Sequence, residues 1–197
     1  MSNPILRVCV FCGSSFGNRT SYREAASKLA ACLKEMGYAL VYGGAHVGLM
    51  GLLADTMLAS GAEVIGVIPS QLQQKEIAHR GLSKLHVVDT MHERKALMAD
   101  LSDAFVALPG AYGTLDELFE IITWAQLGIH SKPIGILNIE GYYDHLLAFL
   151  DNCVANGLLK QSNRELFLVD TNPKRLLERM TEHHAAPVAK WIGPETR

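Results

Sequence analysis

Short apolar runs alternate with longer amphipathic segments along the 197-residue chain. The first run, residues 5–12 (ILRVCVFC), is typical of a buried strand, and the apolar side chains of residues 25–36 recur at helical spacing. The same alternation continues to the last helical pattern at residues 173–183. The pattern predicts strands at 5–12, 38–42, 63–68, 85–88, 104–108, 133–138 and 166–169, and main helices at 21–36, 48–61, 91–101, 114–127, 142–156 and 173–183.

Strands that alternate with helices indicate right-handed βαβ units and a mostly parallel sheet covered on both faces. We therefore predict an α/β fold with a single doubly wound, Rossmann-like sheet of about seven strands flanked by helices. Residues 1–184 are expected to form one domain. Residues 185–197, which contain two prolines and a glycine, are expected to be a loosely held C-terminal tail.

Composition excludes several classes of protein. The apolar content of 49% with 19% charged residues favours a packed core over disorder. Eighteen basic and twenty acidic residues argue against a broad basic surface for nucleic acid. No run approaches about 18 apolar residues and no basic leader precedes the first strand, so we expect a cytoplasmic protein without membrane association. Cys9 and Cys12 are interpreted as buried packing residues with reduced thiols.

Glycine clusters follow several of the predicted strands. Gly13 follows the first strand, Gly43 and Gly44 follow the second, and Gly110 and Gly113 precede the helix at 114–127. In open parallel sheets, ligands bind outside the carboxyl ends of the strands. We therefore expect these glycines to converge on one crevice.

The segment 108–117 (LPGAYGTLDE) leads from a strand through a glycine loop into a helix. Such a loop turns backbone N–H groups outward at the positive helix end, which binds phosphate. Its spacing matches neither G-x-G-x-x-G nor a Walker loop, so neither a dinucleotide site nor an NTPase follows. Thr114 and Glu117 also fit a capping box, in which case they only start the helix; otherwise Glu117 faces the crevice. Arg94, at another helix start, offers a planar cation for phosphate or carboxylate, or belongs to a solvated face.

Several segments together resemble one known family. PGAYGTLDE at 109–117 resembles the PGGxGTxxE signature of the Lonely Guy (LOG) family, the cytokinin riboside 5′-monophosphate phosphoribohydrolases. YGGAHVGLMG at 42–51 resembles that family's GGGxxGLMG segment, and the segments 75–82, 91–98 and 122–138 are also similar. The resemblance spans about residues 5–180. Some family members carry a label of lysine decarboxylase, which nothing in this sequence supports, since it has no convincing pyridoxal-phosphate lysine site.

The resemblance implies hydrolysis of the N-glycosidic bond of an adenosine-type nucleoside 5′-monophosphate to free base and ribose 5-phosphate. The implied substrate is AMP, as for an AMP nucleosidase, or an N6-modified cytokinin riboside monophosphate. A homodimer with shared active sites is implied, and no metal or redox cofactor is needed. Glu117 and Arg94 are implied as catalytic. The implied substrate-binding residues are the loop residues Gly110, Ala111, Tyr112, Gly113 and Thr114, together with Gly44 and the weaker contacts Lys95, Thr123 and Glu76.

Two positions depart from the family pattern. Ala111 and Ala45 stand where the family has glycine. If either needs positive φ, alanine is strained by about 1–2 kcal/mol; we expect the added methyl groups to be tolerated. Two alternatives to the hydrolase remain. One is a non-catalytic nucleotide-binding module, and the other is a structural homo-oligomer whose glycines only shape turns.

Overall fold

A single parallel sheet organises the protein. The computed structural model describes residues 5–74 and 77–182. In this part of the chain seven strands pair in the order β4-β3-β2-β1-β5-β6-β7, and every pairing is parallel. This confirms the predicted doubly wound α/β fold. The strands are β1 (Arg7–Phe11), β2 (Ala39–Tyr42), β3 (Val64–Pro69), β4 (Lys84–Val88), β5 (Ala104–Ala107), β6 (Ile134–Leu137) and β7 (Leu168–Asp170).

Helices connect successive strands. They are α1 (Thr20–Glu35), α2 (Gly48–Ala59), α3 (Ser70–Gln74), α4 (Met91–Asp100), α5 (Tyr112–Gln126), α6 (Asp144–Ala155), α7 (Gln161–Arg164) and α8 (Pro173–Glu182). A short 3-10 turn at Ile139–Gly141 precedes α6. No helix in the described ranges is both long and apolar enough to cross a membrane. The tail at 185–197 and the predicted site residue Glu76 lie outside the described residues.

Each face of the sheet carries its own hydrophobic core. Successive residues of a strand point to opposite faces, so Val8 and Val10 of β1 join one core while Cys9 and Phe11 join the other. Helices α1, α2 and α8 cover the first face, and α4, α5 and α6 pack on the second. Cys9 and Cys12 are both buried and free, as predicted for packing residues. Because helices cover both faces of the sheet, a crevice can open only at the ends of the strands.

The order in which strands are added to the sheet reverses between β1 and β5. From β1 the strands run outward to β4 on one side, whereas β5, β6 and β7 run outward on the other. A crevice forms at such a switch point because the loops after the two adjacent strands diverge. The loops still touch at their base, where the Gly13 N–H donates to the Pro109 carbonyl at 3.1 Å. The topology therefore places the ligand site at the carboxyl ends of β1 and β5.

Candidate active site

A cavity of about 660 Å³ opens at this switch point. Its volume lies within the range of about 300–1,000 Å³ typical of small-molecule sites. The loops after β1, β2 and β5 form its walls together with the first turns of α2, α4 and α5. From the predicted glycine clusters, Gly13, Gly43, Gly110 and Gly113 all lie on its surface.

The loop after β5 enters α5 without a side-chain cap. The helix begins at Tyr112, and the preceding Ala111 has no side-chain oxygen to accept from the first turn. The capping-box interpretation of Thr114 and Glu117 is therefore wrong, because the helix starts two residues before Thr114. Gly110 is tightly packed, since a Cβ there would overlap the Thr114 hydroxyl. The first-turn N–H groups beside the cavity form the kind of helix end that binds phosphate.

Arg94 and Glu117 form an ion pair in the cavity wall. Arg94 Nη1 lies 2.8 Å from Glu117 Oε1, and each side chain is only 10% exposed. Arg94 Nε also donates to the Val67 carbonyl within β3, at 3.1 Å. A guanidinium held at two points has little freedom to turn, so the carboxylate of Glu117 has a fixed orientation toward the cavity.

Local sequence explains how Arg94 reaches this position. A capping box starts α4: the Glu93 N–H donates to Thr90 Oγ1 at 3.1 Å, and the Thr90 N–H donates back to Glu93 Oε2 at 3.3 Å. This fixes the first turn of α4, which carries Arg94. The guanidinium then passes over Gly43, where a Cβ would overlap Arg94 Nη2. Glycine at position 43 therefore provides the space that the guanidinium occupies.

The electrostatics of Glu117 suit it to meet positive charge. Burial raises the pKa of Glu117, and the Arg94 guanidinium opposes that rise. A buried carboxylate interacts strongly with a cation that develops next to it, because little water screens the pair. The arrangement can thus stabilise a cation beside Glu117, while the nearby helix end can bind an anion.

The structure brings part of the predicted site set together. Arg94, Glu117, Gly110, Ala111, Gly113 and Thr114 line the cavity. Tyr112 projects into solvent and is 92% exposed. Gly44 lies behind the wall with a φ of +75°, and a Cβ there would press against Ile68 and Leu85; Gly44 shapes the turn.

Lys95 and Thr123, predicted as weaker contacts, lie away from the cavity. The Lys95 ammonium is held between two carboxylates of α5, at 3.0 Å from Asp116 and 3.1 Å from Glu120. The Thr123 hydroxyl donates to the Phe119 carbonyl at 2.7 Å within α5. Both side chains thus bond to atoms of α5 and not to the cavity. They differ from the cavity residues Arg94 and Glu117 because residues at other positions of a helix point in other directions.

The two alanines that replace family glycines are unstrained. Ala111 has a φ of −108°. Among the described residues, Glu140 alone combines a side chain with a positive φ, so Ala45 is also outside the left-handed region. Ala45 is buried and bridges to Ala78. The strain considered for these positions does not arise.

Sequence reasoning missed several residues on the cavity surface. Ser14 and Ser15 follow β1, and Tyr142 reaches in from the turn after β6. The two serines had a usable signal, since they directly follow the first strand-end glycine. Tyr142 had no such sequence signal, because nothing in the sequence around it indicates that its side chain reaches the loop after β5.

The fold and the site define a class: an α/β protein whose sheet switch point forms a small-molecule cavity, with an uncapped helix end beside a buried carboxylate. The family model described as "Possible lysine decarboxylase" matches residues 50–180. A probable cytokinin riboside 5′-monophosphate phosphoribohydrolase of Oryza sativa subsp. japonica, LOGL9, is 52% identical over 90% of this chain and 78% of its own. The cytokinin riboside 5′-monophosphate phosphoribohydrolase LOG2 of Arabidopsis thaliana is 48% identical over 96% of this chain and 91% of its own. The chain belongs to this LOG family.

Solved structures share the fold at low sequence identity. The molybdenum cofactor binding protein from Rippkaea orientalis superposes with a TM-score of 0.69 at 20% identity, covering 92% of this chain and 98% of that one. The molybdenum cofactor carrier protein from Chlamydomonas reinhardtii gives a TM-score of 0.69 at 17% identity, covering 91% and 100%. At these identities the likeness establishes the architecture alone.

Proposed function

We propose that the protein hydrolyses the N-glycosidic bond of adenosine-type nucleoside 5′-monophosphates, with AMP and N6-modified cytokinin riboside monophosphates as substrates. The products are the free base and ribose 5-phosphate. Family membership and the names of relatives at about half identity support this proposal. The observation that carries it is the buried Arg94–Glu117 pair in the same cavity as an uncapped helix end.

We propose that the two ends of the substrate bind to two parts of the site. The 5′-phosphate binds the N–H groups at the start of α5, where the helix end is positive. Glu117 lies three residues after Thr114, about 4.5 Å further along the helix axis. A nucleotide bound by its phosphate therefore presents its ribose to the carboxylate.

Glycosidic cleavage passes through an oxocarbenium-like state. The bond between the anomeric carbon and the base nitrogen breaks, its electron pair leaves with the base, and the base takes up a proton. Water adds to the anomeric carbon and loses a proton, which yields ribose 5-phosphate. Glu117 stabilises the cationic sugar, and Arg94 holds the carboxylate in place while supplying a donor to the substrate.

Chromatographic measurement of base release tests the proposal. AMP and isopentenyladenosine monophosphate are the substrates, and adenosine is the phosphate-free control. We expect release from the monophosphates, little from adenosine, and a loss of about 100-fold or more in Glu117→Gln. Asp116→Asn is the matched control, because this neighbouring carboxylate is 59% exposed and pairs with Lys95 outside the cavity.

The outcomes separate the proposal from its alternatives. If the protein binds AMP but releases no base, the non-catalytic binding module becomes the better account. If AMP neither binds nor raises the melting temperature, the glycines only shape the fold. Release that survives Glu117→Gln unchanged would remove Glu117 from the mechanism. The ratio of rates for the two monophosphates gives the preference for the base.

We also propose that the protein works as a homodimer. Apolar side chains on the second face support this, since Phe149 of α6 is 60% exposed and Leu158 beyond it is 84% exposed. No residue of α6 is buried within the described chain. Exposed apolar surface of this kind marks protein contacts. Light scattering after gel filtration measures the mass, and a mass of one chain at micromolar concentration would contradict the proposal.

A further inference from the structure

The loop after β5, residues 108–111, is called the phosphate loop below, and each of its carbonyl groups accepts a hydrogen bond. Four consecutive carbonyl oxygens, from residue 108 to residue 111, each accept a hydrogen bond. In chain order the donors are Tyr143 Oη at 2.7 Å, the Gly13 N–H at 3.1 Å, Tyr142 Oη at 2.7 Å and the Leu115 N–H at 3.0 Å.

This pattern decides what the loop offers to a ligand. Its acceptors are used, while the first-turn donors of α5 have no side-chain cap. An anion that approaches therefore meets N–H groups, together with carbonyl groups whose partial negative charge is already offset by a donor. A bare carbonyl oxygen beside a phosphate would repel it, so each donor to a loop carbonyl favours phosphate binding.

Tyr142 is the tyrosine donor that also faces the cavity. Its side chain lines the cavity and the residue is 40% exposed, whereas Tyr143 is 2% exposed. The rings of Tyr22 and Tyr143 contact Tyr142 edge to face, with centroids 5.6 and 4.9 Å away. These contacts fix the ring, so the hydroxyl has a defined direction toward Gly110.

The turn before Tyr142 is held in an unusual conformation. Glu140 has a φ of +50°, and its carboxylate pairs with Arg19 at 2.6 Å. Asn138 accepts from the Tyr143 N–H at 2.7 Å and so closes the same turn. The surroundings therefore maintain a backbone that a side-chain residue rarely adopts, and this backbone delivers both tyrosine hydroxyls to the loop.

We propose that Tyr142 is a positioning residue for the phosphate end of the substrate, acting by hydrogen bonding to the Gly110 carbonyl. This inference rests on the proposed use of the loop for a 5′-phosphate. Because the peptide is planar and trans, fixing the Gly110 carbonyl also fixes the Ala111 N–H on its opposite side. Tyr142 thus sets the direction of one donor and occupies one acceptor.

Tyr142→Phe tests the inference, because it removes the hydroxyl and keeps the ring contacts. Calorimetry measures the binding of AMP, ribose 5-phosphate and adenosine to the parent and the variant. We expect AMP and ribose 5-phosphate to bind about 2- to 10-fold more weakly, the loss of one hydrogen bond, with adenosine affected little. In base-release assays KM rises by the same factor, with a smaller change in kcat. Tyr38→Phe is the control, because it deletes a hydroxyl just before β2, at the amino ends of the strands and away from the cavity. It should leave all three affinities as in the parent.

Two results would overturn the inference. One is unchanged affinity for AMP and ribose 5-phosphate in Tyr142→Phe. The other is an equal loss for adenosine, which would mean that Tyr142 shapes the whole cavity. If the parent binds AMP without releasing base, the proposed hydrolase falls while the comparison of affinities still decides the role of Tyr142. A parent that binds none of the three ligands overturns both proposals.

Discussion

Gly43 leaves the space that the Arg94 guanidinium occupies, so one added methyl group perturbs the site without changing its chemistry. In Gly43→Ala the new Cβ would overlap Arg94 Nη2 and lie 3.2 Å from its Cζ. Gly43 is outside the left-handed region, so alanine adds no backbone strain. The guanidinium has to move away from the new methyl group, and its bonds to Glu117 and Val67 move with it.

The size of the effect follows from that movement. Restoring ordinary van der Waals separation shifts the guanidinium by roughly 1 Å, and misplacement of that size costs on the order of 100-fold in rate. This corresponds to about 2.7 kcal/mol of transition-state stabilisation. We therefore expect kcat/KM for AMP to fall by about 100-fold, with the circular dichroism spectrum unchanged.

A double-mutant cycle makes the test specific. Arg94→Lys lacks the branched guanidinium, so Gly43→Ala should add little further loss in that background. Base release is measured for the parent, the two single variants and the double variant. Equal losses from Gly43→Ala in both backgrounds would refute the reasoning, because the methyl group would then act on something other than Arg94. A single variant with parental kcat/KM would refute it as well.

Two further predictions concern titration. The proposed mechanism needs ionised Glu117, and burial raises the pKa of this residue, so the acid limb of kcat/KM should lie above the ordinary glutamate value of about 4.3. A limb at or below that value would contradict the proposed role. Hydrogen bonds from Arg175 and Arg179 lower the pKa of Asp170. A lowered pKa stabilises the fold above the ordinary aspartate value, and this contribution is lost as pH falls. Asp170→Asn should thus lower the free energy of unfolding by about 2 kcal/mol at pH 7, which lowers the melting temperature by about 4–8 °C. Below about pH 4 the difference in melting temperature between parent and variant should narrow. An equally large difference in acid would contradict this account.

The alternation of apolar patterns was sufficient to predict the sheet. All seven predicted strands occur, and their ends differ from the predicted ends by a residue or two. The short helix α7 was missed because its sequence, QSNR, carries no apolar periodicity. The start of α5 was misplaced because Thr114 and Glu117 have capping-box spacing, whereas the glycine loop already turns the chain into the helix at Tyr112.

The site could be predicted only in part, because its central contact joins residues that are far apart in sequence. Arg94 and Glu117 lie on different helices, and a single sequence does not report their 2.8 Å contact. Lys95 follows Arg94 by one residue, which rotates its side chain about 100° around α4 and away from the cavity. Thr123 is six residues after Glu117, about 240° around α5. A sequence motif alone predicts ligand contacts for residues that are close in sequence. Helix geometry turns the side chains of such residues in different directions.

The contact between the Gly13 and Pro109 loops joins parts of the chain that are synthesised far apart. A nascent chain that has emerged only through α4 contains Arg94 but neither the loop after β5 nor Glu117. Tyr142, the last of the described residues that line the cavity, emerges later still. Contacts of such long sequence separation form slowly in folding. We therefore expect nucleotide to engage the site of one chain only after residue 142 has left the ribosome, so that ligand binding favours late chains over early ones.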